Sequence, residues 1–258
     1  MFDLFSDILA CRDNALTRLD VRTKLLSALC ALLAVLFATR PAFPLAVLAF
    51  SVAGMCALRL PLKLVLVRLL SPLGMVLVLF AMQAVLTGDT PIYTLSVFGH
   101  GLSFTREGVE RGCLLGARVL GAASIMLLLS AVTPAHRIFA ALRWLGLPEL
   151  WVEVASLMYR YIFVLIDEAA DVATAQKVRL GYVGAPRALS SLGTLAGTVL
   201  VRALDQSMRT HEAMRARGYT GLMPYGPLPR LSRTDRRILV LFPAALGLAY
   251  LVLERRVF

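Results

Sequence analysis

The chain has 258 residues, of which 59% are hydrophobic and 17% charged, and its mean hydropathy is +0.76. A soluble domain is typically about 45–50% apolar and about 25% charged, so this composition excludes an ordinary soluble domain. It also excludes a disordered chain, because too little of the sequence is polar to stay solvated without a core. The class that remains is a polytopic membrane protein, whose formal charge of +11 must lie outside the hydrocarbon.

Five apolar runs are candidates for membrane spans, each of which needs roughly 20 residues. They are Leu25–Ala38, Ala42–Leu58, Leu69–Leu86, Cys113–Val132 and Ile238–Leu253. Pro41 and Pro44 predict a tight turn between the first two runs, and Thr94–Thr105 predicts a small β-hairpin between the third and fourth. The predicted fold class is therefore all-α, a polytopic membrane helix bundle of about five spans.

The distribution of Lys and Arg predicts the orientation of these spans. With the N-terminus in the cytoplasm, 21 of them fall on the inner side and five on the outer side. This excess follows the positive-inside rule. We therefore expect a multi-pass membrane protein with a cytoplasmic N-terminus and an external C-terminus, although Arg255 and Arg256 oppose this locally.

Residues 133–237 form a long segment between the fourth and fifth spans. We expect a membrane domain at 1–132, a cytoplasmic helical domain at 133–237, and the last span with the C-terminus at 238–258. The long segment predicts three helices, at 135–147, from Pro148 to about Leu180, and at 189–217. In the last of these, Gly193 and Gly197 would permit close approach of a neighbouring backbone.

Two of these helices end in basic segments, which we call the first tip (residues 175–182) and the second tip (residues 213–219). The first contains Arg179 and Gly181, and the second contains Arg215, Ala216, Arg217 and Gly218. Gly218 is predicted to form the C-terminal cap of its helix. An arginine at a helix C-terminus is favoured by the helix dipole, and its planar fork can grip a carboxylate, which suits docking to an acidic groove. The alternatives are a solvated helix end or a basic belt on anionic lipid.

Signatures of an enzyme or an autonomous carrier are absent from the sequence. There is no P-loop and no His-Glu-x-x-His motif, and the histidines and cysteines offer no metal site. The predicted spans hold no Asp or Glu for a proton relay. Arg118, the one charge inside a span, is expected to hydrogen-bond between helices or to snorkel, with a substrate contact as the alternative. The basic charge follows the membrane topology, which argues against a nucleic-acid partner.

Several stretches, taken together, resemble the transmembrane T component of energy-coupling-factor transporters, most closely the cobalt-transport type, CbiQ. They are residues 19–26 with Asp20 and Arg22, Glu107-Gly108 followed by Gly112 and Arg118, Leu145–Pro148, residues 159–169 with Arg160, Asp167 and Glu168, and residues 213–221 with the intact Ala216-Arg217-Gly218. The resemblance covers nearly the whole chain. The first tip departs from the family pattern, because Val178-Arg179-Leu180 has a glycine only at Gly181.

The resemblance implies a non-catalytic coupling subunit of an ABC importer in the bacterial inner membrane. Its partners would be two ABC ATPase subunits (CbiO-like), which bind ATP and Mg²⁺, and a substrate-specific membrane subunit (CbiM-like, with a small CbiN-like subunit as an option). The chain itself would bind no cofactor. Residues of the two tips would couple to the ATPases, and Asp20, Arg22, Arg160, Asp167 and Glu168 would serve complex assembly. Cobalt is the expected substrate, nickel or a biotin-like vitamin is the alternative, and a stand-alone carrier or a membrane scaffold is more distant.

Overall fold

A computed structural model describes residues 19–58, 62–86, 91–97, 100–221 and 231–254. The elements in chain order are α1 (Val21–Phe37), α2 (Ala42–Ala57), α3 (Leu62–Leu86), β1 (Pro91–Val97), β2 (His100–Thr105), α4 (Arg106–Val132), α5 (Ala135–Trp144), α6 (Glu149–Val178), α7 (Ala185–Ala216) and α8 (Arg233–Glu254). They fall into two compact units. One contains α1 to α4, the β-hairpin and α8, and the other begins at Phe139 and contains α6 and α7.

The first unit is helical apart from the short antiparallel β-hairpin, which confirms the hairpin predicted there. Within the described ranges, three segments are long and apolar enough to cross a membrane: Val65–Ala84, Arg106–Val132 and Arg233–Glu254. The helices α1 and α2 coincide with the first two predicted spans but have only 17 and 16 residues. The protein is therefore a polytopic helical membrane protein, and the count of five spans stays a prediction.

Helix α4 lies at the centre of this unit and packs against α1, α2 and α3. Its buried glycines permit this, because a Cβ atom on Gly112 would lie 2.9 Å from the ring of Phe80, and one on Gly121 would lie 3.0 Å from the carbonyl oxygen of Pro44. A larger residue at either position would require its neighbour on the adjacent helix to shift. The small residues of α4 thus allow the neighbouring helices to approach closely.

The helices of this unit alternate in direction. Arg118 on α4 contacts Ala38 at the end of α1, whereas Lys24 at the start of α1 contacts Val132 at the end of α4, so α1 and α4 are antiparallel. Helix α8 is parallel to α1. The amide of Asp20 donates to Asp235 at their first turns, and the Tyr250 hydroxyl donates to the carbonyl of Phe37 near their last turns. A parallel first and last helix is what an odd number of alternating crossings requires.

Arg118 hydrogen-bonds to the C-terminal end of α1. Its Nε and Nη2 donate to the carbonyl oxygen of Ala38 at 3.1 and 2.6 Å. The hydrogen bond between helices expected for this residue is confirmed. Beside it, the Glu254 carboxylate accepts from the amide and the hydroxyl of Thr39 at 2.6 and 2.7 Å. The C-terminal end of α1 is therefore fixed by α4 and α8 together.

Two expectations about the turns and helix starts are wrong in detail. Pro44 lies in the first turn of α2 and not in the turn that precedes the helix. The first turn tolerates proline because its N–H groups have no partner within the helix. Helix α7 begins at Ala185, four residues before the predicted start, because Pro186 suits the first turn of a helix. The prolines Pro224, Pro227 and Pro229 predict a turn-rich loop at 219–234, but 222–230 lie outside the described residues.

The glycines of α7 are not approached within the described chain. A Cβ atom on Gly193 or on Gly197 would meet nothing within 4 Å. Close helix packing at glycine is found along α4 among the described residues, and the approach of a neighbour to α7 stays a prediction.

Candidate functional site

The first tip (residues 175–182) ends helix α6. Arg179 is the C-cap residue, and Leu180 after it has a left-handed backbone with a φ of 58°. The amide of Gly181 donates to the carbonyl of Gln176 at 2.9 Å, and the amide of Leu180 donates to the carbonyl three residues earlier at 3.1 Å. These two bonds define a Schellman motif, which satisfies the last carbonyl groups of a helix.

The second tip (residues 213–219) ends helix α7 in the same way. Arg217 is the C-cap residue, and Gly218 follows with a φ of 83°. The amide of Tyr219 donates to the carbonyl of Met214 at 3.0 Å, and the amide of Gly218 donates to the carbonyl three residues earlier, also at 3.0 Å. The C-terminal glycine cap predicted for this helix is confirmed.

The two arginines therefore occupy equivalent positions. Arg179 and Arg217 are each the C-cap residue of a Schellman motif, and both side chains are exposed. A guanidinium at this place lies beside the negative end of the helix dipole, which favours its charge by about 0.3–1 kcal/mol at an exposed site. The two arginines thus have the same local backbone geometry, each at the end of its own helix.

Gly181 is not the counterpart of the glycine in the second tip. The left-handed position held by Gly218 is held by Leu180 in the first tip, and Gly181 corresponds to Tyr219. Gly181 has a different reason to be small, because a Cβ atom there would lie 2.7 Å from the Ser191 Oγ. The Ser191 hydroxyl donates a hydrogen bond to the carbonyl of Gly181 at 2.8 Å. The glycine therefore serves packing against α7.

Helices α6 and α7 form an antiparallel helical hairpin. The Gln176 Nε2 donates to the carbonyl of Ser191 at 2.9 Å near the turn, and the hydroxyls of Tyr161 and Thr210 share a hydrogen bond of 2.7 Å further along. The first tip contacts α7 at Ser191, and the second tip follows at its far end. At 1.5 Å per residue, the two tips are about 40 Å apart along α7.

Basic and apolar side chains are both exposed on this helical hairpin. Arg215 lies two residues before the second arginine and is exposed. No described residue of α7 is buried. The exposed large hydrophobic residues of α6 and α7 are Leu150, Trp151, Val154, Met158, Ile162, Val164, Ile166, Val178, Leu189, Leu192, Leu200, Val201, Leu204 and Met208. This apolar surface is not covered by the described chain.

The assembly residues predicted on α6 lie in its middle. Arg160 and Asp167 are exposed, and Glu168 is half-buried. The Oε2 atom of Glu168 is shielded from solvent and has no hydrogen-bond partner among the described residues. Within the described ranges, no hydrogen bond or ion pair joins these three side chains to either tip, and their role in assembly stays a prediction.

Asp20 and Arg22, in the other unit, take part in helix capping. The Asp20 carboxylate accepts from the amide of Arg22 at 3.0 Å and so caps α1, and Arg22 is buried. Asp235 accepts from the amides of Asp20 and Ser232 at 3.1 and 3.3 Å. Sequence reasoning missed this buried carboxylate, although Ser232 and Asp235 have the spacing of a capping box. Asp20 is therefore the N-cap of α1, and its role in assembly stays a prediction.

Lys24 lies at the same end of the unit, just before the predicted span that begins at Leu25. Its Nζ donates to the carbonyl of Val132 at 3.4 Å, at the C-terminus of α4. Burial, followed by the nearby charge of Arg137, lowers the pKa of Lys24 to about 8. In the part of the chain that the structure describes, no three His, Cys, Asp or Glu residues gather in a way that could hold a metal ion.

Comparison with known proteins gives a consistent result over most of the chain. The family described as "Cobalt transport protein" (CbiQ) matches residues 12–225. An uncharacterised protein of Methanocaldococcus jannaschii, MJ1089, is 32% identical over 81% of this chain and 78% of its own length. The cobalt transport protein CbiQ of Rhodobacter capsulatus is 30% identical over 72% and 73%. A putative fused cobalt transport protein CbiMQ of Methanocorpusculum labreanum is 29% identical over 53% of this chain and 23% of its own.

The family match over residues 12–225 includes the first helices, the glycine-rich α4 and both tips, which are among the stretches on which the sequence resemblance rests. The family is a transport component rather than a classical enzyme family, in keeping with the absence of catalytic motifs from the sequence. The chain therefore belongs to the CbiQ family of cobalt transport proteins.

Proposed function

We propose that the chain is the transmembrane coupling subunit of an energy-coupling-factor importer for the cobalt(2+) ion. In this role it joins two ABC ATPase subunits to a substrate-binding membrane subunit. One observation carries the proposal: Arg179 and Arg217 cap two helices of a single helical hairpin with the same geometry, and they lie at its opposite ends. One tip is then available for each of two ATPases.

The chemistry of the tips suits an acidic groove on a protein. The guanidinium fork donates two parallel hydrogen bonds to a carboxylate, and a C-cap position exposes it beyond the last helical turn. Ala216 and Gly218 on either side of Arg217 leave little side-chain bulk to keep a partner backbone away. In this proposal ATP and Mg²⁺ bind to the ATPase subunits and not to this chain.

The apolar surface of the helical hairpin supports a second partner. Leu189 is 73% exposed and Leu200 is 62% exposed, yet α7 also carries Arg187, Arg202, Asp205 and Arg209. A helix with this many charges is not a membrane span, so its apolar stripe needs a protein to cover it. We assign this surface to a CbiM-like substrate-binding subunit. The printed name of the fused relative, CbiMQ, supports association of the two types of chain.

The mechanism follows from these two contacts. ATP binding and hydrolysis change the spacing of the two ATPases, each tip moves with the ATPase that holds it, and α6 and α7 reorient the substrate-binding subunit. For the tips to reach the ATPases, the helical hairpin must lie in the cytoplasm. A cytoplasmic N-terminus with five alternating crossings gives that location, and the parallel arrangement of α1 and α8 supports it.

Charge reversal at the tips tests the proposal. In a complex expressed with its ATPase and substrate-binding subunits, Arg217→Glu is expected to lower both the ATPase that co-purifies with the chain and the uptake of radioactive cobalt. Arg179→Glu is expected to do the same at the other tip, and the double variant to abolish both. The membrane subunits should still insert and co-purify with one another.

A matched control lies on the same helix. Arg202 is exposed and lies near the middle of α7, away from both tips, so Arg202→Glu changes the net charge equally without altering either tip. It should leave ATPase retention and uptake as in the wild type. Wild-type ATPase retention together with wild-type uptake in the double variant of Arg179 and Arg217 would refute the coupling role.

The substrate is tested separately. Cells expressing the complete complex should accumulate radioactive cobalt, and cells lacking only this subunit should not. Accumulation of nickel with no cobalt uptake would transfer the same coupling role to a nickel importer, and a vitamin importer would take up neither ion.

A further inference from the structure

The first turns of α8 carry three arginines on one face. Arg233, Arg236 and Arg237 are exposed, and their spacing of three and four residues makes them neighbours on the helix surface. The positive end of the helix dipole lies at the same place, where cations are disfavoured. Like charges at this spacing also repel one another. Local folding therefore does not account for the three arginines.

The acidic residue of the same turn does not neutralise them. Asp235 is buried, and its carboxylate accepts from the amides of Asp20 and Ser232. In the part of the chain that the structure describes, none of the three arginines forms an ion pair. Their charge is thus available to an anion from outside the chain.

An open cavity of about 640 Å³ lies along this face of α8. It is lined by Arg233, Arg236, Arg237, Val240 and Leu241. Val240 and Leu241 are 65% and 64% exposed, and each follows an arginine by one helical turn. The exposed face continues as an apolar surface towards the other end of the helix, with Leu248, Leu251 and Val252. The cavity is therefore basic on one side and apolar on the other.

The position of α8 places this cavity at a membrane surface. Phe242, Leu246 and Tyr250 pack against the buried core of the membrane unit, so the face that carries the cavity is left uncovered. The helix is long and apolar enough to cross a membrane, and its 22 residues extend over about 33 Å. The hydrocarbon layer is about 30 Å thick, so residues in the first turns lie at the level of the lipid phosphates.

We infer that this face of α8 binds one anionic phospholipid. The lipid phosphate accepts hydrogen bonds from the guanidinium groups of Arg236 and Arg237, with Arg233 beside them, and the acyl chains lie along Val240 and Leu241. A free phosphate ion would leave the two apolar residues uncovered. An acidic protein segment would have to enter the hydrocarbon to cover them. A phospholipid satisfies both sides of the cavity at once, and its binding does not depend on the coupling role.

Native mass spectrometry of the full-length chain in detergent tests the site by counting bound lipids. Phosphatidylglycerol and phosphatidylcholine with the same acyl chains are the probes, because they differ only in the headgroup. The wild type is expected to retain one phosphatidylglycerol in preference to phosphatidylcholine. The double variant Arg236→Gln with Arg237→Gln should bind phosphatidylglycerol about tenfold more weakly or worse, because each basic residue near an anionic surface contributes about fivefold.

A matched control removes two charges from α3 at the same membrane surface. Val65 near the start of α3 packs with Val132 at the end of α4, to which Lys24 of α1 is also hydrogen-bonded. Lys63→Gln with Arg68→Gln lowers the general attraction to anionic lipid by the same charge, and it should keep the preference for phosphatidylglycerol. Equal loss of that preference in both double variants would show general attraction without a site and would overturn the inference.

Thermal unfolding separates lipid binding from folding. In phosphatidylcholine, the arginine double variant should unfold at the wild-type temperature or above, because repulsion between like charges is reduced. Added phosphatidylglycerol should raise the unfolding temperature of the wild type and of the α3 control, but not that of the arginine variant. A lower unfolding temperature of the arginine variant in phosphatidylcholine would show that the arginines are structural and would overturn the inference.

Two further outcomes would give the face to another occupant. If glycerol phosphate or inorganic phosphate raises the unfolding temperature as much as phosphatidylglycerol at the same concentration, the face binds phosphate and not a lipid. If the arginine variant keeps its lipid preference but loses a partner subunit on co-purification, the face binds a protein. Either result would overturn the inference. The proposed function is tested at Arg179 and Arg217, so it stands or fails independently of this site.

Discussion

The two compact units use small and charged residues in opposite ways. In the membrane unit, glycines of α4 bring helices together and Arg118 is bonded to a carbonyl of a neighbouring helix. In the helical hairpin, Gly193 and Gly197 face open space and the arginines of both tips are exposed. The small and charged residues of the membrane unit thus serve contacts within that unit, whereas those of the hairpin are exposed, as the proposed docking to partner subunits requires.

The sharpest test of this difference replaces one glycine in each unit by leucine and compares the stability of the two variants. Gly112→Leu places a side chain where a Cβ alone would lie 2.9 Å from the Phe80 ring. Overpacking of this kind typically destabilises by about 1–3 kcal/mol, and more where backbone must move. We expect a large loss of folded, detergent-extracted protein and a clearly lower unfolding temperature, measured by size-exclusion chromatography after heating.

Gly193→Leu is the matched control for that substitution. Its side chain would project from α7 into open space, so the isolated chain should unfold at nearly the wild-type temperature. The same variant is expected to weaken co-purification with the substrate-binding subunit if α7 is covered by that partner. Equal destabilisation by the two substitutions would contradict the contrast between the two units.

Removal of Arg118 should have the next largest effect. Arg118→Met deletes the two hydrogen bonds to the Ala38 carbonyl and leaves that oxygen without them. A hydrogen bond to a charged group contributes about 1.5–3 kcal/mol, so the unfolding temperature of the membrane unit should fall measurably. Arg106→Met removes an exposed ion pair with Glu110 at 3.3 Å and should change it little. A neutral Arg118→Met would show that the bond is not needed for stability.

Asp235 offers a smaller effect at the opposite end of α1. Asp235→Ala removes the acceptor for the amides of Asp20 and Ser232, and loss of a helix cap costs about 0.5–2 kcal/mol. Hydrogen exchange should rise in the first turns of both α1 and α8, because one carboxylate serves both. Faster exchange confined to α8 would show that the bond to α1 contributes nothing.

The smallest expected effect lies inside the helical hairpin. Tyr161→Phe removes the hydroxyl that bonds to Thr210 and should destabilise the pairing of α6 and α7 by about 0.5–1.5 kcal/mol. Hydrogen exchange of these two helices is expected to increase while exchange in α4 stays unchanged. A change in α4 as large as that in α6 would argue that the units do not unfold independently.

Much of the architecture could be predicted because membrane helices are recognisable in a sequence as long apolar runs. The helices α3, α4 and α8 coincide with long apolar runs, and the ends of α6 and α7 with glycine and basic residues. The β-hairpin before α4 was predicted from alternation around two glycines. These features depend on residues close in sequence, so a single chain carries enough information to find them.

Features that depend on distant residues were not predictable in this way. The carboxylate of Asp235 binds a residue 215 positions earlier, and no local pattern specifies that pair. The sequence does not reveal that Leu180 and Gly218 are equivalent. If the two tips are aligned by their glycines, Gly181 is matched with Gly218, although in the structure it corresponds to Tyr219. Only the hydrogen bonds of the Schellman motif define the correct register of the two tips.

The central claim is that the tips move with the ATPases, and the distance between them measures this directly. Spin labels at Lys177 and Glu212, exposed residues near the two arginines but outside the arginine positions, report that distance by double electron–electron resonance. The account predicts different distance distributions for the nucleotide-free and ATP-bound complexes, and no effect of ATP on the isolated chain. One unchanged distribution in both states of a complex that still takes up cobalt would contradict it.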